Sequence, residues 1–403
     1  MTSSDPTRAA APDPSSAPVH APAGAAPAPV APAAPGARRG GLLALAIVGI
    51  ILLSVAALFV VVYLIAGLGV SAFALGGIMA LVPLGIVFAG ARWIDKWEPE
   101  PRLAIVFAFL WGAGLSVLIA LIVGAEIDNV VNSRGGPGPG YEFFSAAIQA
   151  PIVEEVGKGL GLLILFWAAR RHFDGPVDGI VYAAWIAGGF AFTENILYFG
   201  SELVEVGRID GSVIEIFLIR GIMSPFAHVM FTALVGIALG LAARRTGAFG
   251  AIGYFLLGLV PAILLHAFWN GALFFVSDFY GYYLVVQVPL FVGAILLVQY
   301  LRRQESALTH DRLTEYAEAG WLHPDEVDVV ATPQGRRQAI AWARTSGHGA
   351  QMRAYIRAAT RLAFARQRIV TGRGRAGAVA DEPALLAALV EARAALTPAA
   401  PRA

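Results

Sequence analysis

The chain of 403 residues contains no cysteine. Disulfides, thiolate nucleophiles and cysteine-based zinc sites are therefore excluded, and any metal must be held by His, Glu, Asp or Asn. Lysine is almost as scarce, occurring only at Lys96 and Lys158, while the remaining cationic side chains are arginine. Only 14% of residues are charged, and the net charge of +1 carries no message about partners. The first 37 residues are Ala, Pro, Ser and little else, with no apolar run of the signal-peptide kind. No internal repeat is visible. What is present is apolar surface: 57% of residues are hydrophobic, and several uncharged runs approach the length that crosses a bilayer. A chain this apolar is not an ordinary soluble protein and reads as an all-α polytopic membrane protein.

Eight runs are legible, at 41–67, 71–90, 103–124, 144–169, 177–199, 222–243, 251–276 and 283–301. Residues 212–221 read as a separate interfacial turn, because Gly221 and Pro225 interrupt an overlong helix. Arg38/Arg39, Arg92/Lys96/Arg102, Arg170/Arg171, Arg244/Arg245 and Arg302/Arg303 fall on alternate connections or ends. The other connections, 125–143, 201–211 and 277–282, are short, or acidic and glycine-rich. The positive-inside rule then places a bundle of about eight helices in the cell membrane with both termini cytoplasmic. Three regions follow: a disordered Ala/Pro-rich tail (1–40), the membrane domain (41–302) and a basic helical cytoplasmic segment (303–403). That last segment is expected to lie near anionic lipid, with no nucleic-acid partner.

The fourth run is in the wrong solvent for its charges. It carries Pro151-Ile-Val-Glu154-Glu155-Val-Gly-Lys158, and each carboxylate near the middle of such a helix costs at least ~2.5–3.5 kcal/mol. Lys158 follows Glu154 by four residues and Glu155 by three, so all three share part of one face. One lysine cannot neutralise two glutamates; a proton, a cation from another helix or a metal must supply the rest. Three further runs carry polar groups: Glu194-Asn195 in the fifth, His228 in the sixth, His266 and Asn270 in the seventh. With ~1.5 Å of rise per residue, Glu155, Glu194, His228 and His266 lie roughly 8–15 Å below the outer ends of their helices. They are expected to converge, with neighbours roughly 4–8 Å apart. Glu155 is expected to be the central glutamate, since adjacent helical residues point about 100° apart.

Such a site admits several chemistries. A carboxylate in low dielectric can take a proton from water. Two imidazoles with a carboxylate, here Glu194, His228 and His266, form an open set for a divalent ion such as zinc. His and Asn can instead stabilise an oxyanion. Either arrangement hydrolyses a peptide bond within the membrane. Intramembrane carboxylates and histidines also build ion relays, so an ion-coupled transporter is the competing class.

Over roughly 90–275 the chain resembles the PrsW family of intramembrane proteases, relatives of the CAAX prenyl protease and bacteriocin-processing group. The resemblance rests on Asp95-Lys-Trp-Glu98-Pro99-Glu100-Pro101, Glu154-Glu155-x-x-Lys158, Gly189-Phe190-Ala-Phe-Thr-Glu194-Asn195, Pro225-Phe-Ala-His228 and His266-x-x-Trp269-Asn270. Lys158 and Glu194 stand where the wider group usually has Arg and His, which favours the PrsW branch. The resemblance implies a metalloprotease whose catalytic residues are Glu154, Glu155, Glu194, His228, His266 and Asn270, supported by Lys158 and Asn195. It also implies a single-span membrane-protein substrate, such as an anti-sigma factor cut on its extracytoplasmic side.

The loop alternation has a direct test. Reporter fusions after Arg134, Arg171, Arg208 and Arg245 are expected to alternate between outside and inside. Two consecutive fusions on one side break the eight-helix topology.

Overall fold

The computed structural model describes residues 37–96, 99–170, 173–247, 249–372 and 375–396. The Ala/Pro-rich residues 1–36 lie outside the described residues, as do Trp97 and Glu98 of the acidic-proline loop. The described residues form helices and no strand, and the chain divides into two compact units, with the boundary between Leu301 and Arg302.

The first unit is the apolar bundle. Helix α1 (Ala37–Ile94) is two helices joined at Gly69, whose φ of 75° and ψ of 160° break the helical path. Only glycine takes that conformation readily. Ala57, Val60 and Leu64 line one cavity together with Phe73, Gly77 and Leu81, so the two halves lie side by side. Helix α2 (Arg102–Ser133) follows, then α3 (141–168), α4 (Pro176–Val206), α5 (Gly211–Arg245), α6 (Ala251–Ala272) and α7 (Phe279–Glu318). Six of these, all but α3, are long and apolar enough to cross a membrane. Helix α3 carries three charges in its middle, and α1 supplies two apolar segments. The expected interfacial turn at 212–221 is instead helical: α5 runs from Gly211 to Met223 before Ser224-Pro225-Phe226 interrupt it. Asp210 makes this start possible, its side chain accepting the Ser212 and Val213 N–H groups.

Helix α4 is the centre of the bundle, with 78% of its apolar window buried against 17% for α1 and 11% for α7. Leu45, Leu52, Phe59, Leu257, Leu264 and Leu284 point outward from the peripheral helices, which is the surface a hydrocarbon solvent accepts. The inner helices come close because small residues face each other. A Cβ on Gly179 of α4 would sit 1.9 Å from the Gly236 carbonyl oxygen of α5, and one on Gly236 would sit 2.2 Å from that of Gly179. Trp111 of α2 packs over Gly161 of α3 and donates its indole N–H to the Gly157 carbonyl at 2.9 Å. Near the start of α4, the Glu100 N–H donates to Asp95 at 3.1 Å and Tyr182 donates to the Glu100 carboxylate, closing the acidic-proline loop. Burial pushes Asp95 up to about 7, against the opposing pull of that N–H.

The second unit contains the end of α7 and helices α8 (Pro324–Ala331), α9 (Pro333–Thr345), α10 (Gly349–Val370) and α11 (Arg375–Ala394). Its own core joins Leu313, Tyr316, Val327, Val330, Ile356, Leu362 and Leu389. Arg366 pairs with Glu315, and Tyr316 donates to the buried Glu382.

The Gly179–Gly236 contact sets the separation of α4 and α5. Gly179→Val is expected to cost about 1–3 kcal/mol of stability by overpacking, read as a lower midpoint of thermal unfolding in detergent. Gly77→Ala, where nothing lies within 4 Å of the new Cβ, is the control and does not lower the midpoint.

Candidate functional site

The polar residues of α3 to α6 converge on the fully buried ammonium of Lys158. Its Nζ lies 2.6 Å from Glu155 Oε1, 3.4 Å from Glu154 Oε2 and 3.1 Å from His228 Nδ1, and 4.3 Å from the centre of the Phe190 ring. The helical spacing of three and four residues brings both glutamates to this one cation. His228 and His266 meet edge to face, with ring centres 5.2 Å apart.

The two adjacent glutamates have different surroundings. Glu155 is fully buried and its carboxylate is saturated: Oε1 meets Lys158 and His266 Nδ1 at 3.0 Å, and Oε2 accepts the Thr232 hydroxyl at 2.8 Å. Glu154 keeps an oxygen facing the imidazoles, with Oε2 3.9 Å from both His228 Nδ1 and His266 Nε2. Glu155 is thus the more enclosed of the pair, and Glu154 the one that lines a cavity. Glu155 points into the α5–α6 interface, and the 100° turn carries Glu154 to the open side.

Glu194 also converges, and its partner is one the sequence did not disclose. Arg220 of α5 donates to Glu194 Oε2 at 2.6 Å and through Nε to Asn195 Oδ1 at 3.2 Å, while its guanidinium lies 3.8 Å from the centre of the Tyr198 ring. His228 Nε2 meets the same Glu194 oxygen at 2.9 Å. Asn270 Nδ2 donates to the Ala146 carbonyl at 3.0 Å, holding the start of α3 against α6. Its second N–H is left for another acceptor.

These contacts assign the imidazole tautomers. His266 donates from Nδ1 to the Glu155 carboxylate, so Nε2 presents a lone pair. His228 donates from Nε2 to Glu194, so Nδ1 presents its lone pair towards Lys158 and Glu154. Three acceptor atoms, from Glu154, His228 and His266, therefore lie within 4.8 Å of one another and can hold a metal ion. Two imidazoles and a carboxylate suit zinc, and the Glu155 bond to His266 is the outer-shell pairing such ligands use. A tetrahedral ion with bonds of ~2.0–2.1 Å asks for donors about 3.4 Å apart, so modest closure suffices. The Lys158 ammonium contacts two of the same three groups, so an ion there competes with it. The carboxylate of this set is Glu154, whereas Glu194, expected in that place, is held by Arg220.

Two cavities flank the cluster. The larger, about 290 Å³, is lined by Asn195, Arg220, His228, His266, Trp269 and Asn270 among others. The smaller, about 190 Å³, is lined by Glu154 together with Gln149, Phe190 and Thr193. Glu194 and Tyr198 line both.

Residues 100–294 match a family described as "PrsW family intramembrane metalloprotease". Among curated relatives, Protease PrsW of Clostridioides difficile (strain 630) is 31% identical over 161 residues, 40% of this chain and 62% of that protein. Protease PrsW of Bacillus subtilis (strain 168) is 28% identical over 194 residues, 48% of this chain and 80% of its own length. That of Shouchella clausii (strain KSM-K16) is 28% identical over 232 residues, 57% of this chain and 96% of its own. The chain thus spans less than two thirds of the first of these relatives. No solved structure matches it. The matched segment contains the whole polar cluster, from Glu154 to Asn270.

The Arg220–Glu194 pair has a direct measure. Arg220→Gln and Glu194→Gln are each expected to lower stability by about 1.5–3 kcal/mol, the usual worth of a hydrogen bond to a charged group. In a double-mutant cycle on thermal unfolding, the double variant costs less than the sum of the two. Strict additivity contradicts the pairing.

Proposed function

We propose that this chain is an intramembrane protease of the PrsW kind, hydrolysing a peptide bond of a membrane-protein substrate with water activated at Glu154. The observation that carries this reading is the pair of 3.9 Å gaps between Glu154 Oε2 and the two imidazole nitrogens. One water with hydrogen bonds of ~2.8–3.0 Å spans such a gap.

The chain's own residues then have distinct tasks. Glu154 takes a proton from water as the oxygen attacks the carbonyl carbon, and returns it to the amine as the C–N bond breaks. His266 orients that water, whose second O–H donates to the Nε2 lone pair, while the His228 Nδ1 lone pair accepts from Lys158. Glu155 holds the His266 lone pair in place by accepting from its Nδ1. The free N–H of Asn270 is available to the oxyanion. Arg220 keeps Glu194 turned towards His228. The larger cavity is the place for the peptide, and the smaller one lets water reach Glu154 from the other side. Glu154, His228 and His266 are the residues that would hold a divalent ion, zinc by the donor types. Bound there, the ion would supply Lewis-acid polarisation of the water and the scissile carbonyl.

The finer features of the proposal rest on sequence. They are a single-span substrate such as an anti-sigma factor, cleavage on the extracytoplasmic side, cytoplasmic termini, and kinship with the CAAX prenyl protease group. The clustering of the polar groups around one cation, rather than along a path across the bundle, supports a protease over an ion-coupled carrier.

Glu154→Gln is expected to lower cleavage of a reconstituted single-span substrate by at least ~10²-fold with folding retained. Glu155→Gln acts first on folded yield. Full activity in Glu154→Gln removes this assignment. Metal dependence is read separately: loss with chelator and recovery with zinc marks a metalloenzyme, and indifference to chelator marks a glutamate–histidine mechanism. Lys158→Met leaves buried carboxylates unpaired, at a cost of about 3–5 kcal/mol. It also removes the competing cation, so zinc is expected to raise the unfolding midpoint of this variant more than that of wild type.

A further inference from the structure

Between Asp328 and Asp381 the chain has no acidic residue, yet it carries ten arginines. Most of this stretch folds into α9 and α10, and seven of its arginines fall into two groups. Arg336 and Arg366 are buried and used internally, Arg336 donating to the Val330 carbonyl and the Thr360 hydroxyl and Arg366 to Glu315. Arg337, Arg344, Arg353, Arg357 and Arg361 are exposed, and among the described residues none of the five makes an ion pair.

These five occupy a related surface. Arg353, Arg357 and Arg361 recur every four residues along α10, so they form a stripe. Its opposite side carries Tyr355, Ile356, Ala359 and Leu362 into the core. Arg344 Cγ and an Arg353 guanidinium nitrogen both lie within 4 Å of the Cβ position of Gly349, joining the end of α9 to the start of α10. Arg337 is close enough to Arg302 for the two charges to interact. Ser306 donates to the Ala331 carbonyl, which places the start of α9 beside the first turns of the unit. Trp342 stands among these arginines, 63% exposed, and no packing in the unit accounts for it.

We propose that the α9–α10 face, comprising Arg337, Arg344, Arg353, Arg357, Arg361 and Trp342, docks on an anionic lipid surface. An exposed tryptophan on two cationic helices that carry no acidic residue is the side-chain set of the membrane interface, where the indole sits at headgroup level. The chain enters this unit at Arg302, directly from an apolar helix of membrane length. A lipid surface is therefore always within reach, whereas a soluble polyanion must be recruited from solution.

The lack of cysteine makes the test clean. Full-length Ala341→Cys protein carries a single NBD label and is reconstituted into vesicles of phosphatidylcholine, or of phosphatidylcholine and phosphatidylglycerol in equal parts. NBD emission is expected to rise, and to be quenched by headgroup-nitroxide lipid, only in the anionic vesicles. The signal is lost near 1 M salt, where the Debye length falls to about 3 Å. Arg353→Gln, Arg357→Gln and Arg361→Gln together weaken the association by about two orders of magnitude, at roughly fivefold per arginine. All three side chains are exposed, and unchanged thermal unfolding confirms the fold. Trp342→Ala reduces the quenching as an independent variant. Equal signals in both lipids, or an unaffected triple variant, overturn the proposal. So does an NBD response to a single-stranded oligonucleotide with none to phosphatidylglycerol.

Discussion

One ammonium group holds the membrane bundle to its site. Lys158 is fully buried, and the groups around it come from three helices: both glutamates from α3, His228 from α5 and the Phe190 ring from α4. Glu155 extends the contact to Thr232 of α5 and His266 of α6. An isolated charge at this depth costs several kcal/mol, and removing one partner of a buried pair transfers that cost to the other. The helices can therefore separate only by exposing a charge to hydrocarbon or leaving one unpaired. Apolar packing in lipid gives no comparable penalty, because lipid tails are as apolar as leucine. Close approach comes from glycine at Gly179, Gly236 and Gly161; specificity of register comes from the lysine.

The charges do not balance within the cluster. With neutral imidazoles, three carboxylates face two cations, Lys158 and Arg220, and the surplus is one negative charge. Its place follows from the distances. Glu155 has Lys158 at 2.6 Å and Glu194 has Arg220 at 2.6 Å, while Glu154 has only the lysine at 3.4 Å. The least satisfied carboxylate is thus the one that faces two imidazole nitrogens. A proton or a divalent ion completes the balance at that point.

Much of this was legible in the sequence, and the misses have definite causes. The apolar runs forecast the bundle, and the separate runs at 41–67 and 71–90 correspond to the two halves of α1 that Gly69 joins. The charges of Glu154, Glu155 and Lys158 stood out because their solvent was wrong. Which of the two lines a cavity did not, because helix phase relative to α5 and α6 depends on where Thr232 and His266 lie, and no single-helix pattern encodes that. Arg220 was missed for another reason: Gly221 and Pro225 make its surroundings look like an interfacial turn, where an arginine is unremarkable. A helix started by Asp210 and carried through 218–223 turns that arginine inward. In the C-terminal unit, the sequence displayed an arginine-rich stretch without revealing which arginines the core consumes.

The contacts that stabilise the bundle also set the state of its reactive atoms. A bundle needs only that its interior be filled, and an ion cluster replaced by apolar side chains of equal volume is often no less stable. Such a replacement would remove what fixes the imidazoles. Without Lys158 the His228 Nδ1 lone pair loses its donor and only Glu194 orients the ring, and without Glu155 nothing keeps the proton of His266 on Nδ1. Each ring would then present a donor or an acceptor to Glu154 indifferently, and a water between them would have no single orientation. Retaining a costly lysine at this depth is thus explained by orientation more than by stability. The ion pair holds two imidazole nitrogens beside one carboxylate oxygen in a site where solvent cannot do so.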